Sequence, residues 1–306
     1  MRKLNTLLKT YKTFFRGKKI LILGAAGSIG SALARTLTKY KPNLILLDQD
    51  ESGLFDLYEE IGGEYVIANI REGDTMMRIF ERYKPEIVYH AAALKHVVPM
   101  EKWEEEAWKT NVWGTRNVVD SALQFGVKKF IFISSDKAVN PTSVMGLTKK
   151  TGENICLRAN GETEFIIVRF GNVMASRGSV IPIFKKAIEE NRPLPVTHRK
   201  MQRYFMGIYE AIDLILASTL IAKGGEIVVL DMGKPIKISD LARLMVKLSG
   251  KNLDIVYTKP GPGEKFGEEL MTNEEKQRSK KVGNLYIISE KNLKKTKKPT
   301  EKRSPR

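Results

Sequence analysis

Short apolar runs that alternate with helical patterns limit what this chain can become. Lys19–Leu23 is an apolar run that stops at Gly24, and Leu44–Leu47 is a second that stops at Asp48. Glu64–Ala68, Glu86–His90, Lys129–Ser134 and Phe165–Arg169 continue the series. Runs this short and this continuously apolar read as strands buried on both faces. Helical patterns at Ser28–Tyr40, Asp74–Tyr83 and Glu104–Phe125 separate several of them. Alternation of this kind implies βαβ units and an α/β fold with a doubly wound parallel sheet. After Gly171 the pattern loosens. Helices are predicted over Ser179–Asn191, Tyr209–Ala222 and Ser239–Ser249, the last with Ser239 as N-cap, and a further strand over Glu226–Asp231.

The two ends differ from the body. The net charge of +17 suggests a nucleic-acid partner, but its distribution does not. Residues 1–19 carry seven Lys/Arg and no acid, and residues 276–306 carry twelve Lys/Arg against two Glu. These ends account for the whole excess, so no basic face is left for the folded body and we expect no nucleic-acid partner. Leu4, Leu7, Leu8, Tyr11, Phe14 and Phe15 share one helical face within residues 1–17, with lysines between. That helix either makes peripheral contact with a membrane or partner, or docks on the protein's own body or a second subunit; docking is the expectation. Residues 291–306, Lys-rich with Pro299 and Pro305, read as a disordered basic tail. No stretch approaches the ~18 apolar residues of a membrane span, and Lys9, Lys12 and Arg16 interrupt the first apolar block, so we expect neither a transmembrane segment nor a signal peptide. The single cysteine, Cys156, excludes an internal disulfide and fits a reducing cytoplasm.

Gly24-Ala-Ala-Gly27-Ser28-Ile29-Gly30 follows a strand and opens a helix. Small residues there let the backbone approach a pyrophosphate, whose charge the helix N-terminus stabilises. Asp48 closes the second strand, where an acid bonds the adenosine ribose and rejects a 2′-phosphate. This favours NAD over NADP, although Asp48-Gln-Asp50-Glu51 also reads as an exposed acidic turn. Asn69 and Ile70 fall where an adenine edge would lie, and Ala91, Ala92 and Ala93 give a small-residue floor. Together these make a Rossmann-type domain over 18–170, with a smaller C-terminal lobe for substrate over 171–290, parts of which return to the sheet. His90, His96 and His198 have no partners at metal-ligand spacing, so no metal is expected.

The fifth strand runs into Ser134-Ser135-Asp136-Lys137, followed by Met145 and Lys149. The carboxyl end of a parallel strand is where such sheets bind ligands. The residues alone allow two readings: a catalytic cluster, or a polar strand-end loop leading into a helix.

The stretches GAAGSIGSALA, HAAALKHVVPME, SSDKAVNPTSVMGLTKK, RFGNVMASRGSVIPIFKK, VTHRKMQRYFM, EIVVLDMGKPIKISDLA and PGEKFGEEL run in order from about Lys18 to Ile288. In them the chain resembles the nucleotide-sugar 4,6-dehydratases of polysaccharide biosynthesis, a branch of the extended short-chain dehydrogenase/reductases. The resemblance implies a hydroxyl at Ser135, an acid at Asp136 and a base at Lys137. The family's Tyr-x-x-x-Lys falls on Met145 and Lys149, as in a subgroup resembling the catalytic domains of larger membrane-tethered dehydratases. It adds Lys95, Asn111 and Lys149 to the cofactor residues. For substrate it implies Lys95, Asn172, Arg177, Ser179, Val180, Arg203 and Glu264.

The implied reaction acts on a UDP-sugar, most readily UDP-N-acetylglucosamine, with tightly held NAD. The C4 hydroxyl is oxidised, Lys137 as an unprotonated amine removes the C5 proton, and Asp136 as a protonated carboxyl assists loss of the C6 hydroxyl. Met145 has no ionisable proton and cannot serve as tyrosine does. A 4-epimerase and a catalytically silent NAD-binding protein are the alternatives. Family members are often oligomers, so a homo-oligomer is expected.

Overall fold

The computed structural model describes residues 10–174 and 176–289. Residues 1–9, where the sequence predicts the start of an N-terminal helix with Leu4, Leu7 and Leu8, and residues 290–306, which include the basic tail, lie outside the described residues.

Nine strands form one sheet among the described residues: β1 (Lys19–Leu23), β2 (Asn43–Asp48), β3 (Glu64–Ile67), β4 (Ile87–His90), β5 (Lys129–Ile133), β6 (Glu164–Arg169), β7 (Ile227–Leu230), β8 (Ser279–Val282) and β9 (Leu285–Ile288). Their order is β8-β9-β7-β6-β5-β4-β1-β2-β3. The seven from β7 to β3 are parallel, and β9 and β8 extend the β7 edge antiparallel. This is a Rossmann-type α/β fold. The chain order reverses between β1 and β4, which opens a crevice at their carboxyl ends.

Alternate residues of the buried strands feed two cores. Ile20, Ile22, Leu44 and Leu46 pack under helices Ser28–Leu37 and Ile208–Ile221. Leu21, Leu23, Ile45 and Leu47 pack under helices Gly73–Tyr83, Thr115–Gln124 and Val144–Ala159. A third apolar cluster, with Phe184, Leu194 and Ala242, forms where helices Val180–Glu189 and Ile238–Ser249 meet the strand pair Leu194–Val196 and Ile255–Tyr257.

Residues 10–15 are helical, with Tyr11 and Phe15 buried against the first core. Their rings pack on Tyr40 at 5.6 and 5.9 Å, and the Tyr11 hydroxyl donates to the Asp213 carbonyl. This part of the N-terminal helix is docked on the protein's own body. Three expectations change. Helix Glu51–Ile61, not singled out in the sequence, starts where the Asp50 carboxylate accepts from Gly53 N. The long helix over Glu104–Phe125 is interrupted by a π-helical turn at Lys109–Gly114. Ser239 is not an N-cap: the cap is Lys237, the helix begins at Ile238, and Ser239 is buried in its first turn.

Arg169, the last residue of β6, is fully buried between two carboxylates. Its Nε lies 2.5 Å from Glu153 of helix Val144–Ala159, and its Nη1 2.9 Å from both oxygens of Glu275 of helix Asn273–Arg278. Burial of ions costs free energy unless every partner is matched. Replacing Arg169 with Ala takes the cation from Glu275 and leaves Glu153 only Lys150, at 3.2 Å, and is expected to cost about 3–5 kcal/mol in urea unfolding.

Candidate active site

The glycine loop between β1 and helix Ser28–Leu37 is closed so tightly that side chains are excluded. Gly24 has φ +80°, and a Cβ on it would meet Ala92 N at 2.6 Å. A Cβ on Gly30 would meet the Gly24 carbonyl at 2.1 Å. Gly27 is the N-cap of the helix and supplies no side-chain cap, which leaves first-turn N–H groups open to an anion. Asp48 Oδ2 accepts from Ala26 N at 2.9 Å, and Oδ1 from Gln49 N and Asp50 N. The acid therefore braces the glycine loop as well as ending β2, and a carboxylate with about four acceptor sites keeps capacity for a ribose hydroxyl.

Gly24, Gly27, Asp48, Asn69, Ile70 and Ala91–Ala93 line one continuous cleft. Ser28 and Ile29 open the adjoining helix; the Ser28 hydroxyl accepts from Arg177 N, and Ile29 packs on the core. Asn111, in the π turn, is buried with its amide bonded to both Leu94 backbone groups and to Thr148 Oγ1. It ties the Ala91–Lys95 loop to the helix that carries Lys149. The cleft has the cradle, the acid and the small-residue floor that a dinucleotide requires. His90, beneath this floor, is pushed down to about 3, first by burial, and so stays neutral. No group of residues suited to hold a metal occurs among the described residues.

At the end of β5 the chain turns into a short 3₁₀ segment, Asp136–Ala138, capped by the Ser135 hydroxyl accepting from Lys137 N. Asp136 is fully buried. Its Oδ1 accepts from Ser135 Oγ at 3.0 Å and from Lys137 Nζ at 2.9 Å, while its Oδ2 has no hydrogen-bond partner among the described residues. Lys137 also reaches Asn172 Oδ1 at 3.4 Å. Gly171 makes room for the acid: a Cβ there would stand 2.9 Å from Asp136 Oδ2. Helix Val144–Ala159 brings Met145 and Lys149 to the same region. Met145 is sealed in an apolar cluster with Met100 and Ala107. Lys149 is buried, donates to the Ile133 carbonyl at 2.6 Å, and sits 4.2 Å from the Phe132 ring centre. Burial lowers it from the usual 10.5 to about 8.

The substrate residues read from the resemblance are not all brought together. Asn172 joins Lys137. The Arg177 guanidinium turns to Asp50 Oδ2 at 3.3 Å and lines the same cleft as Asp48, and Lys95 Nζ donates to its carbonyl. Arg203 is buried, with Nη1 bonded to the carbonyls of Gln202 and Lys265. Ser179 Oγ is buried without a partner among the described residues, and Val180 begins the next helix against the lobe's core. The Glu264 carboxylate accepts from Gly261 N and closes its own turn. One residue was missed. Glu268, in the quoted stretch PGEKFGEEL, places Oε1 3.8 Å from Lys137 Nζ. Two adjacent Glu in a loop give no signal of which one is buried.

Two outcomes test this geometry. Gly30→Ala is expected to lose bound dinucleotide, measured as cofactor per chain after purification, because backbone blocks the new methyl group. Between pH 8 and the ordinary lysine value of ~10.4, the unfolded chain binds more protons at Lys149 than the folded one does. Stability therefore gains from Lys149 as pH rises through that window. Lys149→Met should remove that gain, roughly 3 kcal/mol at most, when urea unfolding is compared at the window's two ends.

The comparisons with known proteins agree with this architecture. A family model described as "Polysaccharide biosynthesis protein" matches residues 20–290. The probable polysaccharide biosynthesis protein EpsC of Bacillus subtilis is 46% identical over 85% of this chain and 46% of its own length. The chain thus spans about half the length of that relative. A UDP-N-acetylglucosamine 4,6-dehydratase (inverting) of Campylobacter jejuni is 34% identical over 90% of this chain and 84% of its own. A UDP-glucose 4-epimerase of Rickettsia felis is 32% identical over 90% and 83%. Among solved structures, Pen from Bacillus thuringiensis superposes with a TM-score of 0.86 at 38% identity, covering 90% of this chain and 89% of that one. No helix among the described residues is long and apolar enough to cross a membrane. The chain belongs to the polysaccharide biosynthesis protein family, on an extended short-chain dehydrogenase/reductase fold.

Proposed function

We propose that this protein is an NAD-dependent nucleotide-sugar 4,6-dehydratase that converts a UDP-N-acetylhexosamine, with UDP-N-acetylglucosamine the first choice, to a 4-keto-6-deoxy sugar. The observation that carries the reading is the Asp136–Lys137 pair: a fully buried carboxyl and an amine in contact at the carboxyl end of β5. An epimerase, which returns hydride to C4, needs no such pair for C5 and C6. Residues 18–170 hold the dinucleotide in this reading and 171–290 supply the substrate lobe. Asp48 at the end of β2 favours NAD over NADP.

A bound nicotinamide supplies the hydride acceptor for C4 and the hydride donor for C6. Ser135 and Asp136 answer the loss of tyrosine at Met145. The Ser135 hydroxyl, bonded to Asp136 Oδ1, passes the proton leaving the C4 hydroxyl to that carboxylate. Lys137 as a free amine takes the C5 proton, made acidic by the 4-keto group. Asp136 then gives its proton to the C6 hydroxyl, which departs as water. Lys137 returns a proton to C5 once C6 has received hydride. Each group ends as it began.

The alternative is a 4-epimerase, favoured by the similarity to the Rickettsia protein. Incubation with UDP-N-acetylglucosamine separates the two by mass: the product should be lighter by one water, and an isomer of unchanged mass would refute the dehydratase. Lys137→Ala should lose at least ~10²-fold in turnover while keeping its cofactor, and a variant with undiminished turnover would remove Lys137 from the mechanism.

A further inference from the structure

Glu268 stands outside every role assigned above, yet its surroundings are those of a working group. Its side chain is 4% exposed. Oε1 faces Lys137 Nζ at 3.8 Å, and Oε2 faces Lys265 Nζ at 3.8 Å without any hydrogen bond among the described residues. Lys265 is committed elsewhere, donating to the Val139 and Asn140 carbonyls. The charged groups facing Glu268 are Lys137, Asp136, Arg203 and Lys265. Those facing Lys137 are Asp136 and Glu268, with the neutral Asn172 beside them. One ammonium is therefore shared by two buried carboxylates. Burial pushes Glu268 up, and Asp136 adds to this, so the carboxylate depends on the cations around it to stay ionised.

We propose that Glu268 is a positioning residue for the C5 base: it shares the Lys137 ammonium with Asp136, holds Nζ between them, and sets the pH at which Lys137 becomes a free amine. This rests on the dehydratase reading only in calling Lys137 the C5 base. A carboxylate this close favours the ammonium, so its removal makes the amine available at lower pH.

The test is competitive acetylation of lysines by acetic anhydride across pH, read by peptide mass on the cofactor-loaded full chain. In Glu268→Gln the half-point of Lys137 labelling should fall by about one to three pH units. The rising limb of the rate of water loss from UDP-N-acetylglucosamine should fall with it. Glu268→Asp keeps the charge at a longer gap and should fall less. A merely structural role would lower the rate without moving either curve, and an unmoved labelling curve in Glu268→Gln overturns the proposal. If Glu268→Gln does not fold, an unmoved curve in Glu268→Asp does the same. If labelling moves but the parent releases no water, the dehydratase reading fails and the coupling of Glu268 to Lys137 stands.

Discussion

The site depends on a buried ion pair beneath it. Arg169 joins the end of β6 to the helix that carries Lys149 and to the C-terminal helix Asn273–Arg278. Glu153, its first partner, also accepts from Ser134 Oγ at 2.6 Å, so the end of β5 is held by the same carboxylate. The strand end that presents Ser135, Asp136 and Lys137 and the helix that presents Lys149 are thus fixed to one guanidinium. A planar cation with donors in fixed directions suits this better than an ammonium would. With Arg169 and Glu153 both fully buried, small displacements there are costly, and the groups above inherit that rigidity.

On this base the chemistry needs empty space as much as functional groups. Gly24 and Gly30 let the loop fold onto itself and onto Ala92, and Gly171 leaves Asp136 its clearance. The π turn at Lys109–Gly114 turns Asn111 inward to brace the loop below the cleft. Such a turn costs a helix its regular ladder and is common beside functional sites.

Much of the fold was legible because the central strands are buried on both faces, so nearly every residue from Ile20 to Leu23 or Leu44 to Leu47 had to be apolar. Helix Glu51–Ile61 was not, because it buries only Leu54 and Leu57 and leaves Phe55 exposed. The glycine loop and Asp48 were readable because their spacing is local. Arg169 and Glu275 are 106 residues apart, and no periodicity links them. The surroundings of Arg177 were hidden for the same reason: its chemistry suits a diphosphate anywhere, and only the fold shows that it faces Asp50. Glu268 was hidden because burial of one acid among several is a tertiary fact.

The packing around Met145 bears on how such a protein can change over generations. Met100 and Ala107 enclose it, with Leu94, Val97 and Val144 beside them, and none of these side chains offers a hydrogen bond. A tyrosine at 145 would bring a larger ring into a filled space and a hydroxyl without a side-chain partner in that cluster. Replacing Met145 with tyrosine would thus meet a packing barrier before any catalytic advantage. Room for a tyrosine at 145 would require Met100, Ala107 and their neighbours to change with it.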